Sequence, residues 1–252
     1  MKSLLTWMAF LLVSPAFGQG NQGLITFEQK INLHRRIPAE NEDLKSRMPE
    51  FQTTLHELLF KENESLFRPL EEEEDAPMSG PGNGGMIMRF RRPETIIYRN
   101  HDAEYQLAQR SLFEKKYLVE DTLRIAPWKL GMESKEILGY PCLKATLETE
   151  TKRDTQWIRT RVTAWFTQDI FSPFGPDTYG GLPGMILLLD INEGETVYSA
   201  TRIDPSADLG DLKAPVKGEK ISGTQFKALM EERMKEFQRN GRGPGQRMIR
   251  MN

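Results

Sequence analysis

Catalysis by a general base would have to rest on His34, His56 or His101, the chain's three histidines. A hydrolytic centre needs a nucleophile beside such a base and an acid that orients it. Ser172 has Asp169 and Asp177 close by in sequence, but no histidine shares the segment. A serine between acids in a turn more simply caps backbone N–H groups. The Gly-rich segment that follows carries Pro183 where a nucleophile elbow would carry serine. No catalytic residue is assigned, and the chain reads as a non-enzyme.

Metal chemistry has a weak claim on the same grounds. Thioethers select soft ions such as cuprous copper, which makes Met86/Met88 and Met248/Met251 the candidates, with His101 or Cys142 to complete a site. Neither pair has a histidine within a few residues, so packing explains them as well. The acidic block Glu71 to Asp75 lacks the alternating oxygen ligands and the glycine of a calcium loop. No metal and no cofactor is expected. Cys142 is the chain's single cysteine, so an internal disulfide is excluded. It lies between Pro141 and Leu143 at the start of a strand, which predicts a buried, inert thiol.

What remains is recognition, and the segment suited to it is Trp165 to Asp190, AWFTQDIFSPFGPDTYGGLPGMILLLD with its preceding alanine. Two apolar strands flank a Pro/Gly-rich turn that can continue neither a helix nor a ladder. Trp165, Phe166, Phe174, Gly175, Pro176, Tyr179, Gly181, Leu182, Pro183 and Gly184 are the candidate binding residues. The turn from Ser172 to Gly184 would act as a preorganised lip, its prolines and glycines lowering the ordering cost of binding. The plainer use of these apolar groups is to plug one end of the sheet.

The elements that position this turn follow from periodicity. Ile25, Phe27, Ile31 and Leu33 alternate with Thr26, Glu28, Lys30 and Asn32, a strand with one dry face. Residues 35–50 are a polar connection with one helical turn. Thr53 to Phe60 and Ser65 to Arg68 flank a polar turn as a hairpin, although Leu55, Leu58 and Leu59 would also suit a helix. Short strands then follow at Thr95 to Tyr98, Glu104 to Phe113, Lys116 to Val119, Trp128 to Leu130, Lys135 to Leu138 and Cys142 to Thr149. Val162, Ala164 and Phe166 alternate with Arg161, Thr163 and Trp165. Met185 to Leu189 is apolar on both faces, and Glu193-Gly194 turns it back into Thr196 to Ile203. Ser222 with Gln225 three residues on is a capping box, after which Phe226, Leu229, Met230, Met234 and Phe237 recur at helical spacing, a stripe that should pack on the sheet. The fold class expected is mainly β: a curved antiparallel sheet or partial barrel with one C-terminal amphipathic helix.

Residues 1–18 pair a basic start with the apolar run Leu4 to Val13 and a small-residue cleavage region, the pattern of a signal peptide. The run is shorter than the roughly 20 residues of a spanning helix, and no later stretch is long and apolar enough to be one. An exported protein, periplasmic or associated with the outer membrane, is expected. Residues 19–239 form a single β-rich domain in this reading. Residues 71–85, acidic and then Gly/Pro-rich, read as a disordered insertion within it. Residues 240–252 read as a flexible basic tail. A formal net charge of -2 gives no electrostatic reason to expect nucleic acid.

Gly181-Leu182-Pro183-Gly184-Met185-Ile186, preceded by Ala164-Trp165-Phe166-Thr167 and Gly175-Pro176, resembles the signature of the GLPGLI family of secreted bacterial proteins. Asn63 to Phe67, Trp128-Lys129-Leu130, Glu133 to Cys142 and Lys144-Ala145 stand in the order of that family, so the resemblance runs from about Leu24 to Ile203. Met185 replaces the leucine of the motif, a swap that conserves volume. The insertion and the Met-rich tail have no counterpart. The resemblance implies an exported, sheet-rich envelope protein and no reaction. A hydrophobic ligand, a peptide or an envelope partner is the expected target.

Overall fold

Alternate burial along the chain starts with Ile25, Phe27 and Ile31, the dry side of β1 (Gln22–Asn32). A computed structural model describes residues 21–37, 41–70, 95–112, 114–153 and 156–240. The expected signal peptide, the 71–85 insertion, the tail beyond 240 and both methionine pairs lie outside those residues. After a single 3-10 turn at His34–Arg36 and a short helix α1 (Glu42–Arg47), the next strands are β2 (Phe51–Lys61), β3 (Glu64–Pro69), β4 (Ile96–Asn100), β5 (Tyr105–Leu112) and β6 (Lys115–Thr122). The second half adds β7 (Lys129–Ile137), β8 (Tyr140–Arg153), β9 (Gln156–Thr167), β10 (Met185–Ile191), β11 (Thr196–Asp204), β12 (Glu219–Ser222) and helix α2 (Gly223–Asn240).

The twelve strands of the described residues join one sheet, in the order β12-β6-β5-β4-β3-β2-β1-β11-β10-β9-β8-β7. Every pairing is antiparallel except β12 with β6. The sheet cannot be flat. In the ladder β6 and β7 lie ten strand spacings apart, about 48 Å if the sheet were planar, yet seven residue steps from Thr122 to Lys129 reach at most about 25 Å. The sheet therefore curls until its two ends approach. In keeping with this, residues of β4, β5 and β6 share one buried cluster with residues of β8, β9 and β10. The ends are not hydrogen-bonded to each other, so the result is a partial barrel rather than a closed one.

Positive-φ residues make the tight turns. Glu62 (φ 51°) closes β2 to β3, Leu138 and Gly139 (52° and 82°) close β7 to β8, and Asn192, Glu193 and Gly194 (54°, 54° and 92°) close β10 to β11. The Thr53 to Arg68 region is the hairpin, not the helix. Three sequence expectations need correction. Trp128 to Leu130 and Lys135 to Leu138 are not two strands; Lys129-Leu130 and Lys135 to Ile137 belong to the single edge strand β7, whose register breaks between Leu130 and Ser134, with Trp128 just before it and Leu138 in the turn that follows. Such a bulge blunts an exposed edge. β12 was not expected at all, and the ion pairs Lys115–Glu219 and Lys220–Glu120 hold it to β6.

The third correction concerns α2. Its capping box forms: Gln225 N–H donates to Ser222 Oγ at 3.3 Å, and Ser222 N–H to Gln225 Oε1 at 3.1 Å. Phe226 then packs edge-on against Tyr117 of β6, ring centroids 5.7 Å apart. The stripe does not stay docked, however. Leu229 is half-buried, while Met230 and Met234 are exposed, because the helix runs off the edge of the sheet.

Candidate functional site

β4 carries the residue that organises the site. Strand alternation puts Ile97 and Arg99 on the same inner face, and both are buried, Arg99 to 1% exposure. A guanidinium at such a position must find acceptors or forfeit its hydration. Arg99 finds them in the segment 168–184 between β9 and β10, where Nη1 donates to the Tyr179 carbonyl at 2.7 Å and Nη2 to the Gly175 carbonyl at 2.6 Å. Its guanidinium carbon also lies 5.2 Å from the centre of the Phe174 ring.

The segment braces itself as well. Phe174 and Gly180 form an isolated bridge, Gly181 N–H donates to Pro173 O at 2.8 Å, and Ile186 N–H to Phe174 O at 3.1 Å. Trp128 Nε1 donates to Gly180 O at 2.9 Å, tying the β6–β7 connection to the same turn. Close approach needs glycine at three positions of the segment, Gly180 among them, where a Cβ would lie 2.6 Å from Pro173 O. A Cβ on Gly184 (φ 150°) would lie 2.0 Å from the Thr167 carbonyl, and one on Gly175 would lie 2.8 Å from Ile186 carbons.

Burial sets the electrostatics. Desolvation lowers the Arg99 pKa to about 10, partly countered by Asp177, so the group is charged at neutral pH. Desolvation also raises Asp177, against the pull of Arg110 and Arg99. Tyr198, buried on β11, is raised for the same reason; its hydroxyl accepts a hydrogen bond from Gln29 Nε2 at 2.7 Å. Arg99 Nε and Arg110 Nε are buried without a protein acceptor.

Beside the braced turn is a cleft of about 200 Å³. Arg99 and His101 form one wall, residues 123–126 of the β6–β7 connection another, and Leu147 of β8 a third. Pro173, Phe174 and Thr178 to Gly181 complete it. The lining is apolar with cationic groups among it, and it contains no serine, cysteine or carboxylate.

The ten residues singled out from the sequence do not make one surface. Phe166, Phe174 and Leu182 are core residues, and Gly175, Pro176 and Gly184 are buried in the turn. Trp165 faces the opposite side of the sheet from Phe166, half-buried beneath Lys135, whose Nζ lies 4.2 Å from the ring centre. Pro183 is exposed, and only Phe174, Tyr179 and Gly181 line the cleft. Ser172 does not cap a turn as expected: it is buried and its Oγ has no partner. The histidines serve separately, His34 bonded through Nε2 to Met48 O at 3.0 Å and His56 stacked on Phe67. Among the described residues no group of three or more His, Cys, Asp or Glu is placed to hold a metal ion. Cys142 is buried in the core.

Sequence reading missed Arg99, Arg124 and Trp128 as site residues. For Arg99 a signal existed, since it stands two residues beyond the buried Ile97 and so had to point inward. Arg124 sits in a connection without periodicity, and nothing local marks it.

Fold and site together define a curved, mainly antiparallel β protein with a small cleft at the gap between its sheet ends. Residues 150–188, from late β8 into β10, match the model of a family described as "Protein of unknown function (Porph_ging)". No curated protein matches the chain. Two solved structures of PNGF-II, in the P21 and C2 space groups, are similar in fold with a TM-score of 0.53 each. They are 14% and 15% identical to this chain, over 84% of it and 34% and 33% of theirs. The chain thus spans about a third of the PNGF-II chains, and at this identity the likeness concerns the fold alone.

Proposed function

We propose that this is an exported, non-catalytic binding protein of the bacterial cell envelope, periplasmic or attached at the outer membrane, whose recognition site is the cleft beside Arg99. The observation that carries the reading is the bracing of the turn. Arg99 and Trp128 fix three of its carbonyls, so the cleft wall exists before any ligand arrives and binding incurs little ordering cost. The lining holds the hydroxyls of Thr178 and Tyr179 and the imidazole of His101, but no hydrogen bond joins either hydroxyl to that ring and no carboxylate lines the cleft to orient it, which favours binding over turnover. The ligand is a small molecule, or the end of a lipid or peptide, with an apolar body to match Ile125, Leu147 and Phe174. Export rests on the N-terminal pattern and on the resemblance to secreted proteins through Gly181 to Ile186.

The test is a screen of small fragments against the purified protein, read by amide chemical shifts in nuclear magnetic resonance. The reading expects perturbations concentrated at residues 123–126 and 178–181. Fragments that shift only amides of the outer sheet face around Trp165, or none anywhere, would overturn it.

A further inference from the structure

The charge balance of the cleft goes further than its shape. The guanidinium groups of Arg99 and Arg124 line it, and that of Arg110 lies near enough to act on Asp177, the chain neighbour of the lining residue Thr178. Asp177 is the carboxylate set against these groups, and it acts on both Arg99 and Arg110. Arg99 spends Nη1 and Nη2 on backbone carbonyls, which are neutral, and its buried Nε has no acceptor. Arg110 Nε is in the same condition. Asp177 offsets part of this charge, but no donor of Arg99 bonds to an anionic acceptor, so positive charge is left over that an anion in the cleft would balance.

We infer, resting on the reading of the cleft as a binding site, that it takes a small organic carboxylate, the acid held by Arg124 within the positive field of the buried Arg99 and the apolar body held against Ile125, Leu147 and Phe174. The excess of guanidinium charge around the cleft, three groups set against Asp177, is the observation that points to an anion. Size restricts the body: about 200 Å³ equals the liquid volume of about six or seven waters, below the usual range for drug-sized ligands. The apolar walls favour a carboxylate with a short hydrocarbon chain over a fully hydrated inorganic anion.

Titration calorimetry with hexanoate, hexanamide and inorganic phosphate tests this on the purified protein. Hexanoate and hexanamide share size and shape but not charge. Hexanoate is expected to bind at least about tenfold more tightly than hexanamide and than phosphate, since a charge-assisted hydrogen bond is roughly twice as strong as a neutral one. Arg124→Gln, at an exposed position where folding is not at stake, should weaken hexanoate by about tenfold and leave hexanamide unchanged. Equal affinities for hexanoate and hexanamide would overturn the carboxylate assignment while leaving the cleft a binding site. Phosphate bound as tightly as hexanoate would overturn the part played by the apolar walls. Hexanoate affinity unchanged in Arg124→Gln would remove the anchor. No heat from any of the three, together with no shifted amide in the fragment screen, would remove both the assignment and the binding site.

Discussion

Arg99→Met keeps most of the side-chain length and removes what the guanidinium does. Two charge-assisted hydrogen bonds, at 2.7 and 2.6 Å, are lost. At about 1.5–3 kcal/mol each they amount to roughly 3–6 kcal/mol. The contact with the Phe174 ring adds about 1–2 kcal/mol for a desolvated cation. Against this, the variant no longer buries a charge, a relief of several kcal/mol. The net expectation is a loss of about 2–4 kcal/mol. Urea unfolding reads it directly: with a slope of about 2–3 kcal/mol/M, the midpoint should fall by about 1 M at unchanged slope. Hydrogen exchange localises the effect. Gly181 and Ile186 N–H groups, which bond to Pro173 O and Phe174 O, should lose protection more than the amides of β1 and β2. Arg99→Lys retains charge but presents one point donor where a fork bridges two carbonyls, so its loss should be similar or only modestly smaller. A midpoint within about 0.2 M of the parent for Arg99→Met, with Gly181 protection intact, would refute the claim that Arg99 braces the turn.

Further predictions follow from neighbouring contacts. Gly184→Ala forces a Cβ to within 2.0 Å of the Thr167 carbonyl at a φ of 150°, so it should destabilise by more than about 3 kcal/mol in the same urea assay. Cys142 has its pKa pushed up to about 11, chiefly by burial, so native protein at pH 8 should resist iodoacetamide while urea-unfolded protein reacts readily. Because the folded pKa lies above the unfolded one, the stabilising effect of that thiol is complete below pH 9 and is lost as pH rises towards 11; Cys142→Ala should flatten stability over that window. Ser222→Ala removes the cap of α2 and should cost about 1 kcal/mol, seen as faster exchange in the helix's first turn. Trp165→Ala should leave hexanoate affinity within about twofold, since that ring lies across the sheet from the cleft.

Much of the fold was legible because local physics repeats along it. Ile25, Phe27 and Ile31, or Val162, Ala164 and Phe166, announce their face by alternation alone, and the Ser222/Gln225 pair announces a helix start. β12 was not legible: four residues, Glu219 to Ser222, become a strand only because β6, about a hundred residues earlier, offers an edge. Nor was the split of the candidate residues. Adjacent positions in a strand face opposite ways, so Trp165 and Phe166 could never share a surface, yet composition grouped them. The cleft itself depends on curl that brings Leu147 of β8 opposite His101 beyond β4, and no local pattern encodes that approach. Arg99 is the instructive case: its inward direction followed from Ile97, but its carbonyl partners lie more than seventy residues away.

The most direct test of the account is a crystal structure of the protein grown with hexanoate. The account predicts the carboxylate within hydrogen-bond distance of the Arg124 guanidinium, its chain against Ile125 and Leu147, and the turn at 173–181 unmoved. Hexanoate bound elsewhere on the molecule, or a cleft filled by a rearranged turn with Arg99 released from Gly175 and Tyr179, would contradict it.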